Sequence, residues 1–151
     1  MGNARASVVI RLIKNKAELA QVLRLREIVF IKGQNVPRER ERDGLDDSSK
    51  HVIVFYKSRP IGCARVRLLG HKAKLERIAI LSKYQGRGFG KKLMGYLISY
   101  CKRRRITKLV LHSQVYVKGF YAECGFKPHG KKFMDAGIPH IGMTMNQGKS
   151  D

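Results

Sequence analysis

Ile78-Ala79-Ile80-Leu81-Ser82-Lys83-Tyr84-Gln85-Gly86-Arg87-Gly88-Phe89-Gly90-Lys91-Lys92-Leu93-Met94 begins as an apolar strand, passes through a loop with glycine at 86, 88 and 90, and opens into a helix. Glycine lets the main chain approach a ligand with no Cβ in the way. The first turn of a helix carries free N–H groups and the positive end of the dipole, so an anion is held well there. Arg87, Lys91 and Lys92 add positive charge. An ordinary tight strand-to-helix connection explains one glycine, not three together with Gln85. The segment therefore points to a phosphate-bearing ligand. Two common phosphate loops are excluded. Gly90-Lys91 is followed by Lys92, so the magnesium-binding hydroxyl of a P-loop is missing. Gly88 and Gly90 are separated by one residue, where the dinucleotide fingerprint needs two between its last glycines.

Outward from this loop, the segments before it read as strands with short turns: Ser7 to Ile13, His51 to Tyr56, Ile61 to Leu69 and Ala73 to Leu81. The last three imply antiparallel pairing. Asn15 caps an expected helix to about Ile31, with Leu19, Val22, Leu23 and Ile28 in its apolar stripe. Gly33 to Lys50 is a polar loop or short helix broken by Pro37 and Gly44. After the glycine loop, a helix from about Gly88 to Arg104 places Leu93, Leu97, Ile98 and Cys101 at helical spacing. Thr107 to His112 returns as a strand, a β-α-β crossover. Val115 to Cys124 suits a short helix ended by Gly125, and Phe126 to Phe133 and Ile138 to Met145 are two closing strands. The fold class is α+β: one domain, residues 1–151, with a mixed central sheet of six to seven strands and helices on both faces.

The 151 residues suffice for a real core, and no run approaches the roughly 20 apolar residues that span a bilayer, so no membrane partner is expected. The N-terminus lacks the features of a secretory signal. Cys63, Cys101 and Cys124 cannot all pair and show no metal-ligand spacing; reduced thiols in a cytoplasmic protein and no metal are the expectation. Thirty-two Lys and Arg against 11 Asp and Glu give a net charge of +21. Such a field suits polyanions, whether nucleic acid, ribosomes or a multiply phosphorylated ligand. The basic residues are dispersed, with one tight run at Lys102-Arg103-Arg104-Arg105, and dispersed charge also arises as a habit of a proteome.

Gln85-Gly86-Arg87-Gly88-Phe89-Gly90 resembles the Gln/Arg-x-x-Gly-x-Gly/Ala signature of the GNAT superfamily of N-acetyltransferases. Gly119-Phe120-Tyr121-Ala122-Glu123-Cys124-Gly125-Phe126 is similar to that superfamily's second hallmark, a Phe-Tyr pair followed by Gly-Phe. A wider likeness to the ElaA-like branch covers most of the chain. It is carried by Leu25-Arg26, Val29-Phe30, Gln34, Val36-Pro37, Glu39, Glu41, Asp43, Asp46 and His51, and by Gly137-Ile138-Pro139-His140-Ile141-Gly142-Met143. Gly33 departs from the glutamate often found before Gln34 in that branch.

The resemblance implies transfer of the acetyl group of acetyl-CoA to a primary amine, by direct attack in a ternary complex. Main-chain amides of Gln85, Gly86, Arg87, Gly88, Phe89 and Gly90 would hold the pyrophosphate, with Lys91 and Phe120 beside them. The edge of Ile78, Ala79 and Ile80 would pair with the pantetheine amides, which requires the strand Thr107 to His112 to splay away. Tyr121 falls at the position of the general acid; a packed aromatic beside Phe120 and Phe126 is its plainer role. Glu76 stands where relatives carry a carboxylate base acting through water, and equally suits an ion pair with Arg77 or a lysine. His140 is the rival base, since histidine titrates near neutral pH.

Glu39, Glu41, Asp43, Asp46 and Asp47 are concentrated in one short segment of this basic chain. They would attract a cationic amine, with Asp43 and Asp46 as substrate contacts, or form a solvated turn neutralised by Arg38, Arg40 and Arg42. The competing function is a nucleic-acid- or ribosome-associated module on the same fold with weak or no catalysis. The chain lacks the Lys/Arg-Gly-Phe/Tyr-Gly/Ala-Phe pattern of one common RNA-binding fold. Monomer and homodimer are both compatible with the resemblance.

Overall fold

The computed structural model describes residues 7–148. In chain order the strands and helices are β1 (Val8–Leu12), α1 (Lys16–Arg26), α2 (Arg38–Glu41), β2 (Lys50–Tyr56), β3 (Arg59–Leu69), β4 (Lys72–Ile80), α3 (Phe89–Arg103), β5 (Lys108–Gln114), α4 (Lys118–Glu123), β6 (Lys127–Asp135) and β7 (Ile138–Asn146). The strands form one seven-stranded sheet in the order β1-β2-β3-β4-β5-β7-β6. Pairing is antiparallel except between β4 and β5, the two strands joined through α3.

Alternation along the strands sorts the side chains onto two faces, each covered by helix. Val52, Val54, Ala64, Val66, Ala73, Leu75, Leu109 and Leu111 pack against Leu93, Met94, Leu97 and Cys101 of α3. On the opposite face Ile53, Cys63 and Ala79 meet Val22 and Leu25 of α1. Asn15 caps α1 as its position predicts, its Oδ1 accepting the Glu18 amide at 2.9 Å. The expected continuation to Ile31 is helical but not regular: from Glu27 to Lys32 the chain widens into a π-helical turn. That turn brings Val29 and Phe30 to the wall of the main cavity.

Two departures in the sheet shape the site. Arg77 has φ +53, and two residues of β4, Arg77 and Ile78, stand opposite Ala64 alone between the paired positions Arg65↔Glu76 and Cys63↔Ala79. This is a β-bulge, which bends its strand and re-aims the groups that follow. In addition, β4 and β5 pair only from Lys72↔Lys108 to Leu75↔Leu111. Beyond that point β5 keeps its pairing with β7, through Gln114↔His140, and leaves β4. The splay required for an open strand edge at Ile78 to Ile80 is therefore present.

Candidate functional site

The splay opens a cavity of about 980 Å³ running between the two strands, within the size range of cofactor pockets. Ile78, Ala79 and Ile80 line one wall, and Gly86, Gly88, Gly90 and Lys91 close one end.

At that end the amides of Gly86, Arg87, Gly88, Phe89, Gly90 and Lys91 donate to no protein acceptor among the described residues; the first bond closing α3 is Lys92 N–H to the Gly88 carbonyl, at 3.2 Å. Gln85 differs. Its amide is taken by the Ser82 carbonyl at 3.2 Å, and its Nε2 donates to the Ile80 carbonyl at 2.8 Å. Gln85 thus fastens the loop to the end of β4, and the unspent donors begin one residue later.

The three glycines have different reasons. Gly86 and Gly88 hold φ of +74 and +89, where L side chains are strained. Gly90 is an ordinary helical residue whose added Cβ would stand 3.1 Å from the Phe120 ring. Its absence of a side chain lets α3 close on Phe120.

Side chains of the loop depart from their expected places. Arg87 lies over Tyr56, Tyr84 and Phe89, with 5.3 Å to the Tyr56 centroid, outside the cavity lining. Phe89 is buried in the core, so only its amide faces the anion position. Lys91 does line the cavity, its Nζ 3.5 Å from Glu123.

Tyr121 stands on the opposite wall beside Phe120, ring centroids 5.1 Å apart. Its hydroxyl bonds to no group among the described residues, and burial pushes its pKa up to about 12. The phenol therefore holds its proton at neutral pH.

At the far end of the cavity an ion network unites α1, the segment after α2, β3 and β4. Arg26 and Arg65 have fully buried side chains. Arg26 Nε donates to Glu41 at 2.6 Å and its Nη1 to Asp46 at 2.8 Å. Arg65 grips Asp43 through both terminal nitrogens at 2.8 Å, and also reaches Asp46 and Glu76. Arg77 adds Glu41 and Asp43, each at 3.2 Å. Hydrogen bonds from Arg65 hold the Asp43 carboxyl well below its usual pKa. For Glu41 and Asp46 burial acts upward, yet the arginines outweigh it and both are lowered. Of the carboxylates expected to greet a cationic amine, Glu41, Asp43 and Asp46 are thus neutralised inside the protein by Arg26, Arg65 and Arg77, with the expected Arg42 also on Glu41. Glu39 lines the cavity, and neither it nor Asp47 forms an ion pair among the described residues. Asp46 does not line the cavity; Asp43 does, with both oxygens already taken.

Glu76 belongs to the same network. Its Oε1 accepts from Arg65 at 2.8 Å and Arg67 at 2.9 Å, while Oε2 has Lys74 at 3.5 Å. Burial raises its pKa, but Arg65, Lys74 and Arg67 together outweigh it and hold the group below its usual value. His140 is placed differently. Its Nδ1 is 2.7 Å from the Ile138 carbonyl, which can only accept, so Nδ1 carries the proton and a neutral ring leaves Nε2 as acceptor. The ring stacks on Phe133, centroids 5.8 Å apart, and Phe133 meets His112 edge to face at 5.0 Å. Burial first and Lys74 second lower the His112 pKa.

Residues 20–147 match the family model described as acetyltransferase (GNAT) domain. The chain belongs to the GNAT acetyltransferase family. Among its relatives, YyaT of Bacillus subtilis strain 168, an uncharacterized protein, is 38% identical over 138 residues, covering 89% of this chain and 93% of that one. ElaA of Escherichia coli K12 is 29% identical over 135 residues, 85% of this chain and 87% of the relative. The crystal structure of Escherichia coli ElaA superposes with a TM-score of 0.84 at 23% identity, over 92% of this chain and 99% of that one. A GNAT family acetyltransferase from Elizabethkingia anophelis, solved with acetyl-CoA bound, has a TM-score of 0.75 at 18% identity, over 93% and 99% of the two chains. The ElaA-like likeness of the sequence is thereby matched in sequence and in fold.

Three features of this GNAT site escaped sequence reasoning. Arg26 and Arg65 were not foreseen as buried, although each occupies a core-facing position: Arg26 is four residues after Val22, and Arg65 alternates with Ala64 and Val66. A basic residue in an apolar stripe, in a chain with a concentrated acidic segment, was the available signal. Gln34, part of the ElaA-like likeness, joins Gln114 across the cavity at 3.0 Å, eighty residues apart, and His112 lines it; no local pattern stated the pairing or the placement of His112.

Proposed function

We propose that this GNAT protein transfers the acetyl group of acetyl-CoA to a primary amine, by direct attack while both substrates are bound. The observation that carries the reading is the unbroken run of unspent amides from Gly86 to Lys91 at the end of a cavity whose walls are a free strand edge and Tyr121. These donors fit a pyrophosphate, because fixed N–H groups at a helix start bind linked phosphates without rearrangement.

Ile78, Ala79 and Ile80 offer main-chain groups to the pantetheine amides as a neighbouring strand would, the Ile80 carbonyl being already bonded by Gln85 Nε2. Tyr121 donates its proton to the departing thiolate; its raised pKa keeps it protonated but makes it a weak acid, so the proton moves as the C–S bond breaks. His140 is the base this geometry favours, since the Ile138 carbonyl orients the ring and leaves Nε2 free to take the amine proton. Glu76 acting through water is the second candidate, its basicity reduced by Arg65 and Arg67.

Calorimetric titration with acetyl-CoA, followed by thiol release against a panel of amines, tests the assignment. Tyr121→Phe should lower kcat about 100-fold with acetyl-CoA affinity unchanged within twofold. Lost affinity with unchanged kcat would make Tyr121 a packing residue. Failure of the wild-type protein to bind acetyl-CoA would overturn the function itself.

A further inference from the structure

At the end of the sheet away from the glycine loop, three segments converge: the turn between β3 and β4, the C-terminus of α3, and the start of β5. Thr107 N–H donates to the His71 carbonyl at 3.1 Å, and Ile106 N–H closes onto the Cys101 carbonyl at 3.0 Å. Lys72 and Lys108 are direct neighbours in the parallel pair. The convergence gathers Lys72, Lys102, Arg103, Arg104, Arg105 and Lys108, all exposed. None of the six forms an ion pair among the described residues.

The contrast with the carboxylates is what gives this patch meaning. Glu18, Glu27, Glu41, Asp43, Asp46, Glu76, Glu123 and Asp135 are all engaged with cations, and those cations belong to other parts of the molecule. Favourable charge at the helix C-terminus accounts for Lys102 and Arg103. It does not account for Lys72 beside Lys108, a like-charged neighbour pair that works against the fold.

We propose that this end of the protein docks a nucleic-acid duplex through its phosphates. Charge complementarity names a polyanion, and Lys and Arg supply phosphate contacts that fix position without reading bases. A single strand needs aromatic platforms for its bases. The aromatic ring in this patch, Tyr100, is buried and covered by the Arg104 guanidinium at 4.9 Å. A membrane would call for a set of apolar side chains among the cations, and Leu69 is the large apolar residue exposed at the adjoining end of β3. β4 separates Lys72 from the glycine-loop end of the cavity by about 26 Å, so a duplex docked on the patch leaves that loop clear. The inference does not depend on the acetyltransferase reading.

Fluorescence anisotropy with a labelled 20-base-pair RNA duplex, its DNA counterpart and one unpaired strand tests this, using the full chain. Arg103→Glu/Lys108→Glu is compared with Lys131→Glu/Lys132→Glu, which removes the same charge from exposed positions of β6. Both duplexes should bind with similar affinity and a steep salt dependence. The patch variant should lose at least tenfold in affinity, with the salt slope shallower by about 2; the β6 variant should lose less than threefold. The milder Arg103→Gln/Lys108→Gln guards against a folding defect and should show an intermediate loss. Equal losses in the patch and β6 variants, tighter binding of the single strand, equal binding to phosphatidylserine vesicles, or no binding by the wild-type protein would each overturn the proposal.

Discussion

The glycine loop and the arginine network lie at opposite ends of one cavity and treat polar groups in opposite ways. In the loop, donors are left unspent: the amides from Gly86 to Lys91 have no acceptor among the described residues, and the main chain is held open by two left-handed glycines. In the network, every nitrogen of the buried Arg26 and Arg65 guanidinium groups is engaged, with Arg65 alone reaching Asp43, Asp46 and Glu76. An unsatisfied polar group at a cavity wall is a binding capacity, whereas a buried charge must be satisfied for the chain to fold. A concentration of charge in sequence therefore does not by itself mark a site.

The contrast is broken most directly at Arg65. Arg65→Ala removes the buried cation shared by Asp43, Asp46 and Glu76, weakens the compensation of all three at once, and should cost about 3–5 kcal/mol of stability in urea unfolding. A cost below about 1 kcal/mol would show that the network is not a foundation. Acid probes the same network next. Asp43, Asp46, Glu41 and Glu76 have folded-state pKa values below their unfolded ones. Their stabilisation is complete above the unfolded values near 4, and is lost as the pH falls toward the depressed folded values. Thermal and urea unfolding at pH 6 and pH 3 should differ by roughly 2 kcal/mol, and a flat profile would contradict the ion pairing. The loop gives the smaller stability effect and the larger binding effect. Gly88→Ala, at φ +89, should cost about 1–2 kcal/mol and weaken acetyl-CoA roughly tenfold by calorimetry. Unchanged affinity would separate the loop from phosphate binding.

Element positions were legible because periodicity and turn residues are local signals. Every expected strand is present, with β5 running on to Gln114 and β6 to Asp135 beyond the residues anticipated. The phosphate-loop residues were legible for the same reason, though Gln85 serves the loop's own structure and Arg87 rests on aromatic rings. The role expected of Asp43 and Asp46 illustrates the limit. Their partners, Arg26 and Arg65, are contributed by α1 and β3, and no local pattern states which distant cation will be buried against which carboxylate.

The sequence by itself determined the α+β class, the family and the strand-loop-helix that presents free amides, because glycine spacing, apolar alternation and helix-start chemistry act within a few residues. Only the tertiary structure decided that β4 and β5 part after Leu75↔Leu111, that His140 stacks on Phe133 at the cavity wall, and that Glu41, Asp43 and Asp46 are consumed by the buried Arg26 and Arg65. These depend on which surfaces meet once the chain has folded, and on the cost of burying a charge without a partner.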